Sequence, residues 1–348
     1  MTAAKETIET IRLTQELNLE ELPHGCITRL KVVLSHDGMG QPVWVPVMVF
    51  RGEKPGPVFG ITAALHGNEV NGIPVIHQLF QKLDRNLRGT VVAVPVTNVP
   101  GYNARTRTHT DGTDLNTIMP GRVDGNDAQV YAYRLSQRIV RHFNFLVDLH
   151  TASFGRINSL YVRADLSDEM TAKMAYLQRP QIILQNQPSD GTLRGHAMDL
   201  GIPAITVEIG NPHRFQPEFI RLSLSGLRAV LSEVGMVRKR HRSPGPPPVL
   251  CGNSYWIYAD HGGLLEVFPN VKDDVEKGQV IARLTNVFGD VVREYRAPED
   301  GIVIGKSVDP VGQTGARILH LGQKYTDHAL QAFKKEIDVQ SLGMPVDS

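Results

Sequence analysis

Short apolar runs rich in β-branched residues alternate with longer stretches whose apolar positions recur every three or four residues, up to about residue 240. The short runs predict strands over Pro57–Ala64, Thr90–Thr97, Phe143–Leu149 and Pro203–Ile209. The longer ones predict helices that include Val75–Leu83, Ala128–His142 and Glu218–Val234. Strands alternating with helices of this length imply an α/β fold, with a mixed, mostly parallel sheet and helices on both faces. Ile27–Leu34 and Val43–Arg51 flank the turn His36-Asp37-Gly38-Met39-Gly40, which predicts an antiparallel edge near the start.

Around residue 243 the texture changes. Ser243-Pro244-Gly245-Pro246-Pro247-Pro248 follows the basic run Arg238-Lys239-Arg240, and consecutive prolines without N–H donors favour an extended, semi-rigid connection. Beyond it, short apolar segments are separated by turn residues such as Gly262-Gly263, Lys277-Gly278 and Pro298-Glu299-Asp300-Gly301. That spacing leaves little room for helices and predicts a small all-β sandwich or barrel. The expected organisation is a catalytic domain over 1–240, a Pro-rich linker over 241–248, and a small β domain with a C-terminal tail over 249–348.

Composition removes several function classes. The 37 Lys and Arg nearly cancel the 36 Asp and Glu, leaving a formal charge of +1, without the basic field of a general nucleic-acid binder. Cys26 and Cys251 are the only cysteines, so a disulfide scaffold and a thiolate zinc cluster are both excluded. The first residues, MTAAKETIETIRLTQELNLEEL, mix charged and apolar positions without the apolar core of a signal peptide, and no run has the length of a spanning helix. The expectation is a soluble cytoplasmic protein with no nucleic-acid or membrane partner.

The candidate chemistry begins at His66-Gly67-Asn68-Glu69, which follows an apolar strand and precedes a helical stretch. Imidazole and carboxylate are good zinc donors, and catalytic zinc sites often take two His and one Glu. Taken alone the pair is better explained by a capped helix start, since chance supplies about one His-x-x-acid match and the chain has a second at His196/Asp199. Context changes this. His150 closes the apolar run Phe143–Leu149, and Glu208 arrives on the run Ala204-Ile205-Thr206-Val207. In a parallel sheet, groups at the carboxyl ends of strands converge on the crevice at a switch point. Glu208 then serves either as a general base beside metal-activated water or as a carboxylate paired to an arginine such as Arg194. Asp148 shares a strand face with His150 and either orients it or merely ends the strand. The basic loop Arg105/Arg107/His109 is open to reading as an anion site, although no Gly-rich turn leads it into a helix.

His66-x-x-Glu69, Asp114-Leu115-Asn116, Asp148-Leu149-His150-Thr151 and Val207-Glu208-Ile209-Gly210, in this order, resemble the succinylglutamate desuccinylase/aspartoacylase family, which is similar to the zinc carboxypeptidases. The resemblance spans about residues 57–237. It implies one zinc ion per chain, held by His66, Glu69 and His150, with Glu208 as the catalytic carboxylate. Arg107 matches the arginine that polarises the scissile carbonyl, with Arg105 as the other register. Arg107, Asn116, Thr117 and Arg194 are the implied substrate contacts. One departure stands out: the family usually places arginine directly after the asparagine, and here the residue is Thr117. A hydroxyl cannot replace a bidentate guanidinium, so either Arg122, Arg156 or Arg194 takes over a substrate carboxylate, or the substrate lacks one there.

Segments of the C-terminal part, among them Val275-Glu276-Lys277-Gly278-Gln279 and Arg296-Ala297-Pro298-Glu299-Asp300-Gly301, resemble a biotinyl/lipoyl-type β-sandwich. The position where such carriers hold their lysine falls near Asp290, and no lysine lies between Lys277 and Lys306, so a non-acylated relative is expected. The implied activity is zinc-dependent hydrolysis of the amide of a small N-acyl amino acid or N-acyl amine. A zinc carboxypeptidase acting on peptide C-termini and a zinc-binding relative without catalysis are the alternatives, and a homo-oligomer is left open.

Overall fold

A computed structural model describes residues 11–153, 155–187, 191–239 and 246–326. The chain opens with β1 (Arg12–Thr14), β2 (Ile27–His36), β3 (Pro42–Arg51) and β4 (Lys54–Ala63), followed by α1 (Gly72–Phe80), β5 (Arg88–Val94) and α2 (Val99–Ala104). Next come α3 (Asp127–Arg138), β6 (Phe145–His150), β7 (Arg156–Asn158), β8 (Leu160–Ala164), α4 (Glu169–Gln178) and β9 (Ile182–Gln185). The short α5 (Leu193–Asp199), β10 (Ala204–Ile209) and the long α6 (Pro217–Glu233) complete this part. Among the described residues the C-terminal part has only strands: β11 (Val249–Tyr258), β12 (Gly263–Val267), β13 (Asp274–Val275), β14 (Val280–Thr285), β15 (Val291–Arg296), β16 (Gly301–Ser307), β17 (Val311–Gly312) and β18 (Arg317–Lys324).

One mixed sheet of fourteen strands runs in the order β1-β2-β3-β5-β4-β6-β10-β8-β9-β11-β18-β16-β13, with β7 paired to β16. At its centre β5, β4, β6 and β10 are parallel neighbours, while β2 and β3 form the antiparallel pair their sequence predicts, with the short β1 outside them parallel to β2. From β4 the chain moves to β5 on one side and later returns to β6 on the other, so the switch point lies between β4 and β6.

Helices form where an apolar stripe is capped. Asn126 accepts from the Gln129 N–H to start α3, whose Ala128, Tyr131, Ala132 and Leu135 recur at helical spacing and are buried. Pro217 opens α6, whose face of Ile220, Leu224, Leu227, Val230 and Leu231 packs against the sheet together with α1 and α4. The opposite face is covered by α3 and α5, so alternate residues of β4, β5 and β6 enter two separate cores.

Of the Pro-rich segment expected over 241–248, residues 241–245 lie outside the described residues; 246–248 carry no regular structure and lead into β11. β11 joins the main sheet by parallel pairing with β9. The antiparallel strands beyond it form their own core of Leu265, Ile281, Leu284, Val303, Ile318 and neighbours, with the small sheet β15-β14-β12-β17 on one side. The β14–β15 hairpin tip carries Asp290 and no lysine. None of the described helices is long and apolar enough to cross a membrane.

Candidate active site

At the carboxyl end of β4 the chain turns sharply. Ala64 takes a left-handed φ of 50°, uncommon for a residue with a Cβ, and its carbonyl accepts from the Asn98 N–H. The Glu69 N–H then bonds the His66 carbonyl at 3.0 Å, closing a tight turn that aims both side chains the same way. Gly67 is required in that turn, because a Cβ there would collide with the backbone of Gly101 and Tyr102. His150 is the last residue of β6, and Glu208 lies directly beside it on β10.

His66, Glu69 and His150 come together with donor atoms all within 4.8 Å of one another, a group able to hold a metal ion. All three are buried. The two Nδ1 atoms face each other at 3.2 Å, and each is 2.9 Å from a Glu69 oxygen. On the outer side of each ring sits a carboxylate: Asp114 Oδ1 is 3.1 Å from His66 Nε2, and Asp148 Oδ2 is 2.7 Å from His150 Nε2. In the neutral ring that arrangement places the proton on Nε2 and turns Nδ1 of both histidines towards the point where an ion would sit. Asp148 is itself held by the Thr62 hydroxyl at 2.7 Å and lies within β6 rather than at its end, so it is placed to orient the imidazole.

The electrostatics point to positive charge between these groups. Burial pushes the Glu69 carboxyl up, yet the charge of His66 and hydrogen bonds from His150 and His66 hold it well below the ordinary range. Burial pushes His150 down, but the Asp148 charge and its hydrogen bonds to the Asp148 and Glu69 carboxylates raise it well above its usual value. Two imidazoles and one carboxylate that converge on a point and favour a cation suit a catalytic zinc ion with an open coordination position.

Arg107 lies against this group. Its Nε donates to Asp114 Oδ2 at 2.9 Å, and its Nη1 donates to Ser153 Oγ at 2.8 Å and Glu69 Oε1 at 3.2 Å. Arg105 is exposed, and His109 is buried between Asn98 and Asp127, so the loop does not gather three cations. Glu208 is buried with Asn158 donating to Oε2 at 3.3 Å and Arg163 at 3.7 Å. Burial raises its carboxyl above the ordinary value, with Arg163 opposing and Glu69 reinforcing the rise. Arg194 is not its partner: that guanidinium bonds the Asn186 carbonyl and side chain, and burial, then Arg163, lowers it to about 10.

A cleft of about 310 Å³ opens onto the group, lined also by Asn116, Arg156, Arg163, Arg194 and, from the C-terminal strands, Trp256 and Arg317. The Asn116 side-chain oxygen accepts from Leu193 N–H and ties the 114–117 turn to α5. Thr117 is exposed, turns its hydroxyl to the Asp114 carbonyl, and is not part of the cleft lining; Arg122 is likewise outside, paired with Asp124. His196, of the second His-x-x-acid match, is buried with Nε2 2.6 Å from Ser136 Oγ. Sequence patterning does not predict roles for Ser153, Asn158, Tyr161, Arg163, Trp256 or Arg317. Only Arg163 carries a signal, a charge inside the apolar strand Leu160–Ala164.

The catalytic-domain model of the succinylglutamate desuccinylase/aspartoacylase family matches residues 55–234. An N-alpha-acetyl-L-2,4-diaminobutyric acid deacetylase of Halomonas elongata is 28% identical over 314 residues, covering 85% of this chain and 90% of that protein. The succinylglutamate desuccinylase/aspartoacylase structure from Rhodobacter sphaeroides superposes with a TM-score of 0.77 at 22% identity, covering 87% of this chain and 97% of that one. The product-bound ectoine utilization protein EutE (DoeB) from Ruegeria pomeroyi gives the same TM-score and identity, covering 87% of this chain and 98% of that one.

Proposed function

The chain belongs to the succinylglutamate desuccinylase/aspartoacylase family, and from that premise we propose that it is a zinc-dependent deacylase of small N-acyl amino acids. It is an amidohydrolase, and the relative from Halomonas elongata, named for an N-acetylated diamino acid, favours an acetyl group on a short amino acid. The observation that carries this reading is the facing pair of Nδ1 atoms at 3.2 Å beside Glu69, with Glu208 on the adjoining strand. A cleft of about 310 Å³ matches a small molecule better than a peptide chain. The division into a catalytic unit over 1–240, a linker over 241–248 and a β unit over 249–348 is part of the same reading.

His66, Glu69 and His150 would hold the zinc ion, which when bound supplies Lewis-acid polarisation and acidifies a water molecule. Glu208, whose carboxyl burial raises above its ordinary value, takes the proton from water and returns it to the leaving amine. Asn158 holds one oxygen of that carboxylate during both transfers. Arg107 is fixed through Nε by Asp114 and through Nη1 by Ser153 and Glu69, which leaves the two N–H donors of Nη2 for the carbonyl oxygen as negative charge develops. Asp114 and Asp148 keep the two imidazoles in one tautomer.

The test is a panel assay of zinc-reconstituted protein on N-acetyl-2,4-diaminobutyrate, N-acetylaspartate, N-acetylalanine and short unblocked peptides. Acetate release from the N-acetyl amino acids, with peptides at least tenfold poorer in kcat/KM, is the expected result. Release of C-terminal residues from the peptides would replace it with a carboxypeptidase. Zinc binding without turnover of any compound would leave a non-catalytic relative.

A further inference from the structure

Five arginines line the cleft (Arg107, Arg156, Arg163, Arg194 and Arg317) against only two carboxylates, Glu69 and Glu208. Three of the five are committed. Arg107 is bonded to Asp114, Glu69 and Ser153, Arg163 to the Tyr161 hydroxyl with Glu208 close by, and Arg194 to Asn186. Arg156 and Arg317 differ, for among the described residues neither guanidinium has a carboxylate within ion-pair distance. Instead both lie over Trp256, each 5.7 Å from its ring.

Trp256 is a rigid base for them. It stacks on His320 at 5.0 Å with the planes 12° apart, and His320 Nε2 is 2.8 Å from the Ser254 hydroxyl. Burial, then Arg163, Arg156 and Arg317, hold His320 well below its usual value, so the ring behind the tryptophan is neutral. Burial, then the like charges of Arg317 and Arg107, also pull Arg156 below the ordinary guanidinium range. Two cations kept together at a cleft wall, with Glu69 and Glu208 near but beyond ion-pair distance, favour an anionic ligand between them. The two come from different parts of the chain. Arg156 sits on β7, which pairs with β16, and Arg317 opens β18, so docking of the C-terminal strands assembles the pair.

Resting on the deacylase reading above, we propose that Arg156 and Arg317, seated on Trp256, clamp the free carboxylate of the N-acyl amino acid substrate. The substrate thereby spans the cleft, with its amide at the His-Glu-His group and its carboxylate at the C-terminal strands. Position 117, whose hydroxyl is turned to Asp114, supplies no charge for this contact.

The chain has two tryptophans, so in a Trp44→Phe background Trp256 fluorescence reports the site alone. With Glu208→Gln added to stop turnover, the zinc-loaded protein is titrated with N-acetyl-2,4-diaminobutyrate and with its primary amide. The acid is expected to perturb Trp256 and bind at least about tenfold more tightly than the amide, a difference of about 1.4 kcal/mol. Arg317→Gln and Arg156→Gln should each remove most of that preference; Arg317 is exposed, so its substitution leaves the fold intact. Equal binding of acid and amide, no binding of either, or a preference that survives both substitutions overturns the clamp. Because binding is read without turnover, failure of the panel assay above would count against the deacylase reading alone.

Discussion

Asp148→Asn is the substitution that most sharply tests how the metal group is held. The Asp148 carboxylate is buried, with Oδ2 2.7 Å from His150 Nε2 and Oδ1 accepting from the Thr62 hydroxyl at 2.7 Å. Asparagine keeps the shape and still accepts from one neighbour, so the fold should survive, but the negative charge that raises His150 basicity is gone. A hydrogen bond to a charged group contributes about 1.5–3 kcal/mol, and loss of an outer partner of a metal-binding histidine costs about 10–100-fold in affinity. The two scales agree, since that range is about 1.4–2.7 kcal/mol. Competition of the protein against a chromophoric zinc chelator measures it, with thermal unfolding as the control for folding. Zinc affinity equal to wild type in a fully folded Asp148→Asn protein would refute the orienting role of Asp148. Thr62→Val, which releases the other carboxylate oxygen, is expected to weaken zinc less than Asp148→Asn.

Three further outcomes follow from the same geometry. Arg163 opposes the rise that burial imposes on Glu208, so Arg163→Gln should raise that carboxyl further; as a general base is active when deprotonated, the acidic limb of the kcat/KM–pH profile should move to higher pH, and an unmoved limb would separate Arg163 from Glu208. Gly67→Ala would force a Cβ into the Gly101–Tyr102 backbone and should cost about 1–3 kcal/mol in thermal stability together with zinc affinity, whereas wild-type values in both would mean the turn is free to move. Burial raises the Cys251 thiol to about 12, so it should resist alkylation by iodoacetamide in the native protein at pH 8, and rapid modification would show that this core opens.

The metal group was legible because it breaks a pattern. His66 follows an apolar strand run and Asp148, His150 and Glu208 fall within two others, and a buried polar group needs a partner, so their convergence follows from the parallel order of β4, β6 and β10. Arg163 breaks the same pattern, but the five-residue strand around it is too short and too interrupted to be predicted by alternation. Asp114 stands in a visible motif, yet its bond to His66 depends on a loop folding back across 48 residues. Trp256 and Arg317 could not be read at all, since they reach the cleft only through pairing of β11 with β9 and of β16 with β7. The helices α3 and α6 were visible from their stripes, whereas α2 and α5, of six and seven residues, are set by caps and packing rather than by a periodic face.

The central claim is that one metal ion held by His66, Glu69 and His150 supports amide hydrolysis, and it is tested by titrating metal-stripped protein with zinc while following acetate release from an N-acetyl amino acid. Activity is predicted to rise linearly and break at one equivalent of zinc per chain, and to stay flat for His66→Ala and His150→Ala. Activity that persists in the stripped protein, or full activity in either variant, would contradict it.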